Sequence, residues 1–302
     1  MRTRRAPLAD SARVREDRGR GRPARTGGAA PRTALAGTDP LSADAIAQHS
    51  HDPDFVTALA RGLAVLLSLS DKKRRMSIAQ VSHLTGISRA ATRRSLHTLT
   101  RLGFAAADEA RHFYLRPRVL SFSHGYLSAS PVAVLSQPIL DRLGESLREA
   151  CSLATLDGEE IVYLARSTSS RIMSPALNVG RRLPAYCTSI GHVMLAHLPQ
   201  SELDRYLART RFHPFTANTP NSVEKLLPLL ASVRESGFAF ASQLMEQRLC
   251  TLAVPVRDTA DSCVAGINVI LQGRLLSREE MAERFYHPLQ QAAMELGSLL
   301  LP

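Results

Sequence analysis

Cysteine is scarce and unpatterned in this chain. Four occur in 302 residues, Cys151, Cys187, Cys250 and Cys263. None has the CxxC spacing of a zinc or redox site, and each lies in or beside an apolar run. This argues against a disulfide framework and a zinc site, and reads as buried free thiols in a reducing compartment. Long apolar runs are also missing, so no segment approaches the ~20 residues that cross a bilayer as a helix. The N-terminus has arginines but no apolar h-region, which argues against a secretory signal. The expectation is a cytoplasmic protein with no membrane partner, no metal and no cofactor.

Residues 1–52 lack hydrophobic periodicity and are rich in Arg, Ala, Gly and Pro. They read as a disordered basic tail. Such a tail is either passive, the product of a start codon placed too far upstream, or an arm that adds phosphate contacts.

Charge is unevenly distributed. The net charge is +11, yet residues 53–126 carry twelve Lys or Arg against four acids, while residues 127–302 carry sixteen against seventeen. A basic module beside an electrically ordinary one suggests a polyanion partner for the first and another kind of ligand for the second.

The basic module has the punctuation of a helix-turn-helix. Phe55, Leu59, Leu63, Leu66 and Leu67 recur at helical spacing and predict a first helix. Ser77 caps a second, residues 78–84, which Gly86 closes in the left-handed conformation. Ser88 caps a third, with Ala91, Ser95, Leu96, Leu99 and Leu102 expected on its inner face. Two short strands, 104–107 and 112–115, form a wing, giving a winged helix-turn-helix over residues 53–116. Arg89 and Arg93 are one turn apart on the third helix, so both can enter one groove, where arginine reads guanine through a bidentate fork. Arg89, Thr92 and Arg93 are therefore the expected base readers. Ser88, Arg94, His97 and the wing residue Arg111 are expected at phosphates, where they position the module without reading sequence, and Ser77 at the start of the second helix is counted with the DNA-binding residues.

A linking helix is expected over residues 117–130 and a second domain over 131–302. Pro131 begins a helix with Val132, Leu135, Ile139, Leu143 and Leu147 at spacings of three and four, which Pro138 can kink. Two strand-like runs, 152–156 and 161–166, meet through Asp157-Gly158, a hairpin signal. A third is expected at 172–179. Helices follow at 190–197, 201–210 and 222–236, strands at 249–256 and 263–271, and a last helix from Ser277, which forms a capping box with Glu280. The pattern predicts an α/β domain with an antiparallel sheet layered by helices.

Residues 183–195 (LPAYCTSIGHVML) place small polar side chains at a helix start, where backbone N–H groups hold an anion. Cys187 with His192 has no third group to orient it for catalysis, and His192 and His197, five apart, do not share a metal-binding face. Both histidines read as structural and no catalytic residue is assigned. Residues 243–251 with Asn268 and Ile270 set isolated polar groups beside apolar strands, as a small-ligand pocket does; alternatively, Asn268 serves only to satisfy backbone groups. From the residues alone, three functions stay open: an effector-controlled DNA-binding regulator, a small-molecule enzyme with an accessory DNA-binding domain, and an effector-independent DNA binder.

The blocks ALARGLAVLLSLS and SIAQVSHLTGISRAATRRSLHTL resemble the winged helix-turn-helix of the IclR family of bacterial transcription regulators. RIMSPALNVGRRLPAYCTSIGHVMLA resembles its branch controlling protocatechuate and 4-hydroxybenzoate catabolism, the β-ketoadipate pathway. LAVPVRD and AGINVIL are similar to later family strands. The resemblance implies a GAF-like C-terminal domain and dimers formed through the N-terminal module, often paired into tetramers, on a palindromic or pseudopalindromic double-stranded operator. It also implies a small carboxylate effector, an aromatic acid or a pathway intermediate, near Thr188, Ser189 and Ile190. Gln243, Glu246, Leu249, Thr251, Asn268 and Ile270 would complete that site. The chain departs from the family at His192, where arginine is usual, and at Ala91-Thr92, where the order is usually reversed.

Overall fold

The computed structural model describes residues 41–49, 51–70, 75–167 and 178–301. Its first element lies inside the segment expected to be disordered. Helix α1 (Ala43–Gln48) is six residues long, too short to stand alone in water. Ser42 caps it, its hydroxyl accepting from Ala45 N, and Ile46 is buried among the residues of the helix-turn-helix core. Burying one isoleucine contributes roughly 2 kcal/mol, and docking rather than propensity makes this helix. The rest of the expected tail, residues 1–40, lies outside the described residues.

Helices α2 (Thr57–Ser68), α3 (Ile78–Thr85) and α4 (Arg89–Arg101) form a three-helix module with the wing strands β1 (Ala105–Ala107) and β2 (Phe113–Leu115). Its core is Ala64, Val65, Leu69, Val81, Ile87, Leu96 and Leu99. The face of α2 differs from expectation. Ala60, Ala64 and Val65 point inward, while Leu59, Leu63 and Leu67 are exposed. Close packing of three short helices selects the small-residue face of α2 and leaves its leucine stripe outside.

Helix α5 (Leu120–Ala129) buries no residue, and Ser130 caps α6 (Pro131–Leu147), which stays helical through Pro138. The sheet strands are β3 (Ala150–Asp157), β4 (Glu160–Arg166), β5 (Arg182–Pro184), β6 (Ala239–Ser242), β7 (Leu249–Arg257) and β8 (Cys263–Gln272), in spatial order β5-β4-β3-β8-β7-β6 with every pairing antiparallel. The hairpin at Asp157-Gly158 forms as expected. The short edge strands β5 and β6 had no distinct sequence signal, and most of the strand expected at 172–179 lies outside the described residues.

Alternation along the strands sorts side chains to two faces. One face packs Cys151, Leu153, Leu252, Ile267 and Val269 against α6 and α10 (Arg278–Ser298). The other carries Ala154, Ile161, Tyr163 and Ala253 beneath α7 (Ser189–Ala196) and α9 (Val223–Ser236). Helix α8 (Gln200–Arg209) adds Leu203 and Tyr206 to the second cluster. All eight residues of α7 are buried. Two glycines permit this approach: a Cβ on Gly191 would lie 2.0 Å from the Ala185 carbonyl oxygen, and one on Gly266 would lie 2.9 Å from Ile190 Cγ2.

Candidate functional site

The first candidate surface is the outer face of α4. Ser77 and Gln80 form a reciprocal capping box at the start of α3, and Gly86, at φ 72°, ends that helix in the left-handed region. Ser88 restarts the chain as α4, its hydroxyl accepting from Ala91 N at 3.4 Å. Helix α4 (RAATRRSLHTLTR) contains no acidic residue. Thr92, Leu96 and Leu99 face the core, and Arg89, Arg93, Arg94 and His97 are exposed. The arginines can therefore meet DNA phosphates and base edges with no carboxylate on their own helix to compete.

Thr92 does not take part. Its side chain is fully buried and its hydroxyl donates to the Ile87 carbonyl at 3.3 Å, so the expectation that Thr92 reads bases is corrected. Residue 92 falls one turn from Ser88 and Leu96 and faces inward with Leu96. Leu102, expected inside, is half exposed. The Ser77 and Ser88 hydroxyls are occupied as N-caps, and both residues remain at helix starts.

The wing turn is organised by Asp108, which accepts from His112 N at 2.8 Å and from Arg75 Nη1 at 3.0 Å. Both contacts, the His112 backbone bond first, hold its carboxyl below the usual range. Arg111 sits exposed at the tip with φ 58°, a left-handed conformation that a non-glycine residue seldom takes.

The second candidate site lies on the sheet face beneath α7. Thr188 caps α7 by accepting from Gly191 N at 3.0 Å. Ser189 follows, and the Thr251 hydroxyl on β7 donates to it at 2.8 Å. Ile190 rests on Gly266. Pairing register puts Ile270 beside Thr251, and Asn268 beside both Ala253 and Ser152. Thus Thr188, Ser189, Ile190, Thr251, Asn268 and Ile270 gather around one buried face.

The remaining expected residues stand apart from it. Gln243 Oε1 accepts from Arg248 N at 3.2 Å and so serves the turn between β6 and β7. Glu246 is exposed in that turn, and Leu249 is half-buried at the start of β7. The bend that joins β6 to β7 carries Glu246 into solvent, so its expected place in a buried pocket is corrected.

The structure adds polar residues that the sequence did not single out. Ser152 on β3 pairs in register with Arg166 on β4 and with Asn268 on β8, making a polar row across three strands. The Ser152 hydroxyl and Asn268 Oδ1 are buried without a hydrogen-bond partner, so Asn268 is not simply satisfying backbone groups. Tyr163 lies beside this row. Burial pushes its phenol up to about 12, opposed by Arg166, a hydrogen bond from Asn268 and Arg181. Arg181 Nε is also buried without a partner. The available signal was weak: Ser152 and Tyr163 each have apolar neighbours on both sides along their strands, and only pairing register puts them together.

Cys187 and His192 are structural. Burial raises the Cys187 thiol far above its usual range. Burial also lowers His192 to about 4, and its Nε2 bonds the Tyr186 carbonyl at 2.7 Å. A neutral imidazole tied to backbone beside a protonated thiol has no thiolate to offer. Among the described residues no group of three or more His, Cys, Asp or Glu is arranged to hold a metal, and no helix is long and apolar enough to cross a membrane.

Comparison with known proteins finds family matches to two segments of the chain. The family described as "IclR helix-turn-helix domain" matches residues 58–109, and "Bacterial transcriptional regulator IclR C-terminal" matches residues 124–297. A Pca regulon regulatory protein of Pseudomonas putida is 44% identical over 246 residues, 81% of this chain and 84% of its own. A putative transcriptional regulator of Rhodococcus superposes with a TM-score of 0.69 at 36% identity, over 82% of this chain and 98% of its own. The inducer-binding domain of the transcription factor PobR from Acinetobacter, a double mutant solved with 3-hydroxybenzoic acid, has a TM-score of 0.52 at 26% identity, over 55% of this chain and 97% of its own. The matched families and these relatives are described as regulators and transcription factors, not enzymes, and the enzymatic alternative falls with them. Two matched segments in the order the fold requires, together with a close relative along most of the chain, settle the assignment: the protein belongs to the IclR family of bacterial transcriptional regulators.

Proposed function

We propose that the protein is a cytoplasmic regulator of aromatic-acid catabolism whose operator affinity is set by a small aromatic carboxylate bound beneath α7. In this reading residues 53–116 are the DNA-binding domain, 117–130 the linking helix and 131–302 the effector domain. Arg89 and Arg93 read bases. Arg94, His97 and Arg111 contact phosphates, with Ser77 and Ser88 presenting helix N-termini. The observation that carries the effector half is the burial of unpartnered polar atoms, Ser152 Oγ and Asn268 Oδ1, under α7. Unsatisfied buried polar groups are costly, and a polar ligand relieves that cost. The hydroxybenzoate bound by the Acinetobacter relative supplies the ligand class.

The working unit is a homodimer, or a tetramer built from dimers, on a palindromic or pseudopalindromic operator. Its support is the apolar stripe on α2, where Leu59 and Leu67 are 61% and 49% exposed, with Leu120, Phe122 and Tyr126 also exposed on α5. Exposed apolar stripes of this kind mark protein contact surfaces, and a second copy covers the same stripe on both partners by two-fold symmetry. Effector binding shifts the DNA-bound population to the extent that the ligand prefers one of the two states.

The test is a footprint on the intergenic DNA upstream of the chain's own gene at physiological salt, with and without 3-hydroxybenzoate, 4-hydroxybenzoate and protocatechuate. A discrete protected palindrome that changes with one acid is the expected result. A discrete footprint indifferent to every aromatic acid removes the effector assignment, and equal affinity for all sequences points to an effector-independent binder.

A further inference from the structure

Helix α1 sets where the chain enters the DNA-binding module. Ile46 is buried in the module core, and Leu41 and Ala43 pack against that core. Ala43 lies against the turn of the helix-turn-helix: a Cβ on Gly86 would stand 3.1 Å from Ala43 Cβ. Ala43 and Ile46 share one small cleft with Gly86, Ile87 and Ser88. Ser88 caps α4, and the N-terminal residues of a recognition helix are those that meet base edges. The chain ahead of Leu41 is therefore tethered beside the start of α4. Its chemistry is uneven. Residues 18–38 hold five arginines and no acid, and four of the five fall in RGRGRPAR, residues 18–25. The negative potential of a narrow, A·T-rich minor groove draws arginine into it. Glycine between arginines has no Cβ, so the backbone can approach the groove floor closely. Pro23 disfavours helix at Arg22 and favours the extended chain that follows a groove. A tail that only added phosphate contacts would need the charge, but neither the glycine alternation nor the proline.

We propose that residues 18–25 are a second DNA-reading element, in which Arg20 and Arg22 enter the minor groove of A·T-rich DNA flanking the major groove met by α4. This rests on α4 as the DNA-binding helix and is independent of the effector reading. The sixteen residues 26–41 span at most about 50 Å. A minor groove lies about half a helical turn, ~17 Å, from the major groove beside it, so the tether reaches with length to spare. The two readers are complementary. Arg89 and Arg93 meet the base edges of the major groove, where all four base pairs differ. Arg20 and Arg22 meet a groove in which A·T differs from G·C by the guanine N2 amino group, so they select A·T composition rather than an exact sequence.

The experiment measures binding of the full chain to two duplexes of equal length, one of alternating I·C and one of alternating G·C pairs. Inosine keeps the guanine O6 and N7 of the major groove and lacks only the N2 amino group of the minor groove, so the difference between the duplexes reports the minor groove. The titrations are repeated on the double variant Arg20→Gln, Arg22→Gln and on Arg13→Gln, Arg15→Gln, which removes the same charge from the same tail. Thermal melting checks the fold of each. The wild type should bind the I·C duplex roughly fivefold or more tightly than the G·C duplex. The first variant should bring the two within about twofold, while the second keeps the preference. Both should flatten the salt dependence of affinity, as fewer counterions are released. If the first variant fails the melting check, the wild-type comparison of the two duplexes carries the test. A preference that survives in the first variant overturns the assignment of Arg20 and Arg22, and one lost alike in both variants reduces the tail to charge alone and overturns it too. Equal wild-type affinity for the two duplexes overturns the second reader and leaves α4 standing. No binding to either duplex at low salt overturns the DNA-binding reading of α4, and this inference with it.

Discussion

The two functional regions of this molecule use polar residues in opposite ways. On α4 the arginines are exposed, and the buried residues beneath them, Leu96 and Leu99, only hold the helix in place. Under α7 the polar residues are the buried ones: Ser189 and Thr251 bond each other, and Ser152 and Asn268 keep unpartnered atoms. A DNA interface must stay open to a large polyanion, so its charges remain hydrated until binding. A small-ligand site must enclose its target, so its polar groups carry a desolvation cost in advance that the ligand offsets. Exposed sites therefore tolerate substitution in the fold and lose recognition, whereas buried ones put stability and recognition at risk together.

The largest expected effect sharpens this contrast at Gly191. An alanine there sets Cβ against the Ala185 backbone oxygen. Gly191→Ala should cost roughly 3 kcal/mol or more in urea denaturation, with α7 displaced from the sheet. Stability equal to wild type would show that α7 is not pinned at that point.

Arg93→Ala should behave in the opposite manner. It should cost about 1–3 kcal/mol of discrimination at one operator base pair and leave thermal stability unchanged. Equal loss on operator and random DNA would move Arg93 from base reading to phosphate contact.

Acid should act on the buried region. The folded pKa of His192 is about 4, below its ordinary value of 6.5, with burial as the main cause. The folded state therefore resists protonation, and the associated stability is present above pH 6.5 and is lost as pH falls toward 4. The expected loss is on the order of 1–3 kcal/mol in denaturation curves. His192→Gln should flatten that stretch of the pH profile, and an unchanged slope would assign it to other groups.

The smallest effect concerns the residue that changes sides in the comparison. Thr92→Val removes one buried hydrogen bond to Ile87. It should cost about 1 kcal/mol of stability while leaving the operator preference intact. A change in base preference would restore Thr92 to the reading surface.

The same contrast explains what could be read from the sequence. The capped helices of the DNA-binding module are local features, and Ser77, Gly86 and Ser88 announce them within a dozen residues. So do the Asp157-Gly158 turn and the Ser277 capping box. The inner face of α2 was misleading because leucines outweigh alanines in an apolar pattern, yet Ala60 and Ala64 fit the tight helix contact. Helix α1 was hidden because one isoleucine carries its docking. Ser189, Thr251 and Asn268 could be found through family resemblance, but Ser152 and Arg166 could not. They meet Asn268 only through a register joining strands more than a hundred residues apart in the chain.

The most direct test of the account is a matched set of operator-binding isotherms for wild type, Arg93→Ala and Asn268→Leu, each with and without the hydroxybenzoate that the wild type binds most tightly. The account predicts that Arg93→Ala weakens operator binding yet keeps the wild-type ratio of affinities with and without ligand. It predicts that Asn268→Leu keeps the unliganded affinity and loses that ratio. An Arg93→Ala protein blind to the acid, or an Asn268→Leu protein with a full response, would contradict the division of labour between an exposed DNA-reading helix and a buried effector-reading sheet.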